Sequence, residues 1–271
     1  MPSNELDNEL GNELGNDVGN GGRAILGIDI GGSGMKGNLV DPDTGALLAE
    51  RFRLDTPQPS VPPEVALVVA KIVDHFEYRG PIGCTFPAIV KRGVTLSAAN
   101  VDQAWIGCHA SKLFSDVTGQ PVVVINDADA AGIAEMAVGA GRGRAGVTLI
   151  LTFGTGIGSA MFHDEVLIPN IELGHIEYRG HASVEDWAAA RVKEDEGLSW
   201  KAWAGRVNQL LDHLAKVLSP DLFILGGGVS RRWEKWSDYL EVPVETVPAA
   251  LRNEAGIVGA ALLAARSEGV A

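Results

Sequence analysis

Asp29-Ile-Gly-Gly-Ser-Gly-Met-Lys36-Gly37 follows the apolar run Ala24 to Ile28, and Leu151-Thr-Phe-Gly154-Thr155-Gly156-Ile-Gly158-Ser159 closes the apolar run Val147 to Leu151. A buried strand that runs into glycines and a hydroxyl residue brings backbone N–H groups close to an anion. Glycine has no Cβ, so successive amides can line one concavity. A single loop of this kind reads equally well as a hairpin turn. Two of them, with Asn126-Asp127 between them after the strand-like Pro121 to Ile125, point to a phosphotransferase.

Outward from these loops the same plan is written twice. Ala24 to Ile30, Gly37 to Val40 and Ala46 to Leu54 read as a strand meander that turns at Asp41-Pro-Asp-Thr-Gly45. Glu64 to Phe76 reads as a helix behind Pro62-Pro63, Pro81 to Phe86 as a strand, and Ser111 to Thr118 as a helix stopped by Gly119-Gln-Pro121. The strand Pro121 to Ile125 and the helix Ala128 to Val138 follow. In the second half, Val147 to Leu151, Ser159 to His163 and Glu165 to Ile168 repeat the meander, with helices over Val184 to Glu194 and Ser199 to Leu218. Asp221 to Leu225 is a buried strand that ends in Gly226-Gly-Gly228, and Ala255 to Ala265 is a C-terminal helix. The expectation is an α/β protein of two duplicated α/β domains with the ligand in the cleft between them. The N-terminal domain takes residues 23–125 together with 258–271, and the C-terminal domain takes 126–257. Residues 1–22 hold a degenerate acidic repeat, NELDNELGNELGNDVGN over 4–20, and read as a disordered tail.

The bulk properties exclude several functions. The chain has 271 residues, 46% of them hydrophobic, which is enough for one large core or two modest ones. No apolar run is long enough to span a bilayer, and no basic start leads into an apolar signal segment. The two cysteines, Cys84 and Cys108, form no CxxC pair, which fits a reducing cytoplasm. A net charge of −13 argues against nucleic acid or an acidic membrane as partner. A polyanionic substrate would need a local basic lane, drawn from Lys36, Arg142, Arg144, Lys193, Lys201, Arg231, Arg232 and Lys235, most of which are ordinary solvated charges.

Asp29, at the end of the first strand, is placed to hold Mg²⁺ directly or through water. Gly31, Gly32 and Gly34 permit the first turn, while Ser33 and Lys36 add donors. The second loop offers Thr152, Gly154, Thr155 and Gly156. A helix starting after Gly226, Gly227 and Gly228 would present its N–H groups to an anion or nucleotide. Trp233 and Trp236, just beyond, either stack a base or pack a helix. Asp127 suits the general base of phosphoryl transfer to an alcohol, and Asn126-Asp127 also suits the N-cap of the helix that follows. Glu172-Leu-Gly174-His175 supplies an acceptor and a donor to neighbouring hydroxyls of a polyol. A zinc reading through Glu172, His175, Glu177 and His181 has no HExxH pattern or cysteine set behind it.

These segments, with Asn126-Asp127-Ala-Asp129-Ala130-Ala131, Leu225-Gly-Gly-Gly-Val-Ser230 and Leu251-Arg-Asn-Glu-Ala-Gly-Ile-Val-Gly-Ala260, resemble the ROK family of sugar kinases over residues 24–267. Within that family they are most similar to the polyphosphate-using glucokinases and glucomannokinases. The resemblance implies the actin-like, hexokinase-type ATPase fold. It implies phosphoryl transfer from polyphosphate, or from ATP, to the 6-hydroxyl of glucose or mannose, with Mg²⁺ and in a homodimer. It implies Asp127 as the base and Asn100, Asn126, Asp127, Glu172, His175 and Glu185 as the sugar contacts. An ATP-dependent hexokinase and an N-acetylhexosamine kinase are the alternatives. Ile176 to Glu185 lacks the cysteine-rich zinc motif of many members, so no structural zinc is expected and local packing, with Trp187 a candidate, must hold His175 and Glu185.

Overall fold

Two five-stranded sheets with the same strand order make up the frame of this computed structural model, which describes residues 23–99 and 101–267. The expected tail over 1–22 and the expected sugar contact Asn100 lie outside the described residues. The first half runs β1 (Ile25–Ile30), β2 (Gly34–Val40), β3 (Phe52–Asp55), α1 (Pro62–His75), β4 (Ile82–Phe86), the short hairpin β5 (Val90–Lys91) and β6 (Val94–Thr95), α2 (Ala110–Thr118), β7 (Val122–Asn126) and α3 (Asp127–Val138). The second half runs β8 (Val147–Phe153), β9 (Ile157–His163), β10 (Val166–Ile168), α4 (Glu185–Ala188), α5 (Ala190–Asp195), α6 (Trp200–Leu218), β11 (Leu222–Gly227), β12 (Glu245–Pro248) and α7 (Ala255–Ser267).

The sheet orders are β3-β2-β1-β4-β7 and β10-β9-β8-β11-β12. In each, the first three strands form an antiparallel meander and the last two join in parallel. The duplicated meander expected from sequence is therefore present, and each sheet adds two parallel strands to it. Parallel strands direct their C-terminal ends to one edge. Asp29 on β1, Asn126 on β7 and Gly227 on β11 all stand at such an edge, where ligands of open α/β sheets bind.

Three cores hold the layers. α1 turns Val65, Ala66, Val69, Ile72 and Val73 onto the first sheet, and Phe86, Trp105 and Phe114 pack around α2. α6 buries Trp203, Val207, Leu210, Leu211 and Leu214 on the second sheet. The third core joins the sheets: α3 and α7 place Ile133, Met136, Ile257, Val258 and Leu262 among Ile25, Val40, Ile150, Phe162 and Ile224. Apolar residues at helical spacing make each of these faces.

Four local readings differ from the structure. β2 begins at Gly34, so the first glycine turn is shorter than the sequence implied, and β3 keeps only Phe52–Asp55 of the strand expected over 46–54. The helix expected over 184–194 breaks at Ala189 (φ −60, ψ 158), because the Trp203 indole N–H donates to the carbonyls of Ala188 and Ala189 at 2.9 and 3.3 Å. The segment after Gly227 is a 3-10 helix over Gly228–Lys235 with a kink at Arg232, not an α-helix. β12 has no counterpart in the sequence reading.

Candidate active site

At the C-terminal end of β7, two neighbouring side chains divide two tasks. Asn126 is the N-cap of α3: its Oδ1 accepts from the amides of Ala128 and Asp129 at 2.8 and 3.1 Å, and its Nδ2 donates to Ala88 O at 3.2 Å. The cap satisfies orphan donors of the helix start and leaves Asp127 facing a cavity of about 880 Å³ between the sheets. Asp127 accepts one bond within its own turn, from the Ala128 amide at 2.8 Å. Its carboxylate meets solvent through the cleft, but protein walls surround it on the other sides. This desolvation pushes its pKa up to about 6, opposed by the Ala128 bond and helped by the charges of Asp29 and Glu172. A carboxylate so tuned is a competent base near neutral pH.

The polyol end comes from the loop after β10. The Ser159 hydroxyl donates to Ile171 O and accepts from the Leu173 amide at 2.9 Å, which pins the loop to β9. His175 then stands between two carboxylates, Nδ1 at 3.8 Å from Glu172 Oε2 and Nε2 at 3.9 Å from Glu185 Oε1. These gaps are too long for direct hydrogen bonds, so all three groups remain available to hydroxyls placed among them. Burial raises the Glu172 pKa, with His175 pulling it down and Glu185 pushing it up. Glu185 Oε2 accepts from the Ile157 amide at 3.1 Å, and a Cβ on Gly156 would lie 2.4 Å from that oxygen and push the carboxylate aside. Trp187 packs on Tyr178 at 5.2 Å, its carbonyl accepts from Arg206 at 2.8 Å, and the Tyr178 hydroxyl donates to Gln209 O at 3.2 Å. This cluster supplies the packing for the segment between His175 and Glu185.

The first glycine turn is held from behind. Thr56 Oγ1 donates to Gly31 O at 2.6 Å, Gln58 Nε2 to Gly32 O at 3.2 Å and Arg53 Nη2 to Ser33 O at 3.3 Å. In a trans peptide the following N–H points opposite to the carbonyl. The amides of Gly32 and Ser33 are therefore turned away from those three side chains, toward the cavity their residues line. The second loop closes on itself through Gly154 N–H to Gly156 O at 2.9 Å and leaves Gly154 and Thr155 exposed to the cavity.

Gly31, Gly32, Ser33, Asn126, Asp127, Thr152, Gly154, Thr155, Gly156, Glu172, His175, Glu185 and Gly227 thus line one cavity. Asp29, Gly34, Lys36, Gly226 and Gly228 stand outside that lining. Gly34 is buried beneath the Arg53 guanidinium, and Lys36 Nζ is 3.4 Å from Asp29 Oδ2. Asp29 Oδ1 accepts from Thr85 at 2.8 Å. Trp236 is fully buried, edge-on to Trp203 and Trp233, with its N–H on Val229 O at 3.2 Å, so it packs and stacks no base. Among the described residues no three His, Cys, Asp or Glu gather as a metal cage.

The ROK family model matches residues 25–186. The chain belongs to the ROK family. A polyphosphate glucokinase of Mycobacterium tuberculosis is 50% identical to this ROK protein over 238 residues, 88% of this chain and 89% of the relative. The crystal structure of an inorganic polyphosphate/ATP-glucomannokinase from Arthrobacter sp. strain KM superposes with a TM-score of 0.85 at 47% identity, covering 90% of this chain and 99% of that one. A ROK glucokinase from Streptomyces griseus, solved with glucose and AMPPNP, gives a TM-score of 0.76 at 24% identity over 90% and 100% of the two chains. The doubled sheet of this ROK protein is the actin-like, hexokinase-type ATPase fold.

Two groups in the ROK site had no role in the sequence reading. Asp129 is buried behind Asp127; its Oδ2 accepts from the Asn170 amide at 2.8 Å, its Oδ1 has no partner, and desolvation pushes its pKa up to about 6. Two residues along a helix from Asp127, it carries no sequence mark of burial. Arg191 lines the cavity from the start of α5, yet in sequence it is one arginine after three alanines.

Proposed function

We propose that this ROK protein transfers the terminal phosphoryl group of inorganic polyphosphate to the 6-hydroxyl of glucose, giving glucose 6-phosphate. The observation that carries the reaction type is the shared cavity, with Asp127 between the two glycine loops and the Glu172–His175–Glu185 set. The choice of donor and sugar is supported by the 50% identity to a protein named for that activity. Packing of Trp236, with Trp233 against it, also favours a donor without a base. The glucomannokinase likeness extends the reading to mannose as a second sugar and ATP as a second donor.

Hydroxyls of the hexose bond to Asn126, Glu172, His175 and Glu185, and to Asn100. Asp127 takes the proton of the 6-hydroxyl as its oxygen attacks in line. The amides of Gly32, Ser33 and the 154–156 turn receive charge on the transferring and leaving phosphates, and most of the rate comes from this positioning and field. Mg²⁺, when bound, neutralises phosphate charge. Asp29 fits it, because magnesium takes one or two carboxylates plus phosphate oxygens and water, and the charge of Asp29 already raises the pKa of Asp127. Arg231, Arg232 and Lys235, all exposed on the turn after Gly227, form an outer lane for a long donor. The two sheets act as the two domains expected from sequence, 23–125 with 258–271 and 126–257. No helix among the described residues is long and apolar enough to cross a membrane. A homodimer completes the reading, and sedimentation equilibrium checks it.

The deciding experiment measures glucose 6-phosphate formation with Mg²⁺, comparing polyphosphate with ATP freed of polyphosphate. Product from polyphosphate is the expected outcome; product from polyphosphate alone makes it the strict donor, and product from both makes ATP the second donor. Product from ATP alone discards the polyphosphate assignment and keeps the Asp127 chemistry.

A further inference from the structure

The cavity around Asp127 is lined by four carboxylates, Asp127, Glu172, Glu185 and Asp186, and among its described lining residues Arg191 is the one permanent cation. A phosphoryl donor is an anion and needs compensating charge there. Lys36 is engaged with Asp29 at 3.4 Å and lies outside the lining. Further along α5, Lys193 stacks over Trp200 at 4.3 Å, and on α6 Arg206 is bonded through both terminal nitrogens to Glu196.

Backbone geometry places Arg191 at the phosphate end. Its amide donates to Gly154 O at 3.1 Å, which ties the first turn of α5 to the second glycine loop. The chain reaches that point because it breaks at Ala189, where the buried Trp203 N–H holds the carbonyls of Ala188 and Ala189. The side chain itself is lightly held. Nη2 is 3.3 Å from Asp186 Oδ1, with the two side chains 44% and 52% exposed. An ion pair this exposed is weak and exchanges readily for a better partner. A phosphate offers one, since its oxygens match the two-pronged guanidinium.

We propose that Arg191 is the donor clamp of this site, leaving Asp186 to grip a phosphate of the polyphosphate chain beside the Gly154–Gly156 loop. The inference rests on reading the cavity as a phosphotransferase centre, and it names a group that recognises the donor and not the sugar.

Two readouts separate this clamp from the overall reaction. Calorimetric titration of tripolyphosphate into sugar-free protein measures donor binding without turnover. Arg191→Gln is expected to weaken that binding about tenfold or more, as loss of a charge-assisted bidentate pair does. Arg191→Lys is expected to recover only part of it. Asp186→Asn breaks the same ion pair but keeps the guanidinium, and is expected to bind tripolyphosphate at least as tightly as the wild type. In turnover assays the polyphosphate KM rises in Arg191→Gln while the glucose KM stays within about twofold. Unchanged tripolyphosphate binding in Arg191→Gln, an equal loss in Asp186→Asn, or no binding by the wild type overturns the clamp. Weakened binding in Arg191→Gln, with no glucose phosphorylation by the wild type from any donor, leaves the clamp standing and overturns the reaction.

Discussion

Asn126 and Asp127 sit side by side in sequence, and either could cap a helix. In the structure Asn126 takes the cap and the cleft receives Asp127. The base assignment predicts that Asp127→Asn lowers turnover about 10²-fold or more while the glucose KM moves by no more than about threefold. Near-normal turnover would remove Asp127 from the chemistry. Its pKa of about 6 also fixes a pH dependence. Asp127 accepts a proton only when ionised, so kcat/KM should rise as pH climbs through about 6 and then level off. His175 lies between two carboxylates at 3.8 and 3.9 Å, and the proposed reaction sets it against the sugar and not the transferred proton. His175→Ala should therefore raise the glucose KM more than it lowers kcat, and an unmoved KM would make the residue structural. Asp129 gives a prediction outside the chemistry. Its pKa is raised from 3.8 to about 6, so the folded state holds a proton that the unfolded chain has already released. That stabilisation is complete below pH 3.8 and is lost as pH rises through about 6. Asp129→Asn keeps an acceptor for the Asn170 amide and removes the buried charge. It should gain about 1–3 kcal/mol over the wild type at pH 8, with the gain fading by pH 4, measured by urea unfolding at both pH values.

Helices α3 and α7 are the elements on which the two sheets meet, and small residues let them touch. A Cβ on Gly259 would lie 1.7 Å from Ala130 O, a backbone atom with nowhere to go. Gly259→Ala should separate the helices and destabilise the protein by about 3 kcal/mol or more, read as a fall in the urea midpoint. Glu135, buried on α3, secures the approach to α7 by accepting from the amides of Ala140, Ala250 and Leu251 at 2.9, 3.1 and 2.8 Å. Removing it strands three donors. The elements legible in the sequence were those written in local patterns: both meanders, the glycine loops, the Asn126 cap and the helical faces of α1 and α6. Among the cavity residues, Glu172 and His175 are marked by type and spacing, and Glu185 by the resemblance to a known family alone. The break at Ala189 could not be read, since the alanines around it favour helix and the Trp203 N–H that overrides them comes from α6. The short strand β12 contains Pro248 and lacks an apolar run, and pairs only because β11 offers it a parallel edge. Arg191 and Asp129 gain their character from neighbours distant in sequence, and single residues carry no periodicity to reveal them.

Over the whole molecule, the cavity takes one wall from each sheet: Gly31, Gly32, Ser33, Pro87 and Ala88 from the first, and Thr152 to Gly158, Glu172 and His175 from the second. Behind it the halves are joined by the α3–α7 core and by Asn170, whose side chain accepts from Val90 N at 2.9 Å and donates to Val90 O at 3.0 Å. Walls on separate sheets suit closure around a substrate, and such a closure has a chemical use. Water competes with the sugar 6-hydroxyl for the phosphoryl group, so an open cleft would waste donor. Closure on sugar excludes water and strengthens every charge interaction inside. Glucose should therefore lower the radius of gyration measured by small-angle scattering. Lyxose and xylose, which lack the 6-hydroxymethyl group, should report on the coupling: whichever closes the cleft should speed polyphosphate hydrolysis, because water then occupies the place of the missing hydroxyl beside Asp127. Net charge adds a condition. At −13 the protein repels a polyanion as a body and attracts it only locally. The local contacts are screened over about 10 Å at 0.1 M salt and about 3 Å at 1 M. A long polyphosphate that reaches past Arg191 to Arg231, Arg232 and Lys235 should lose affinity with added salt more steeply than tripolyphosphate. Equal salt slopes for the two lengths would confine the donor to the cavity and leave the outer lane without a role.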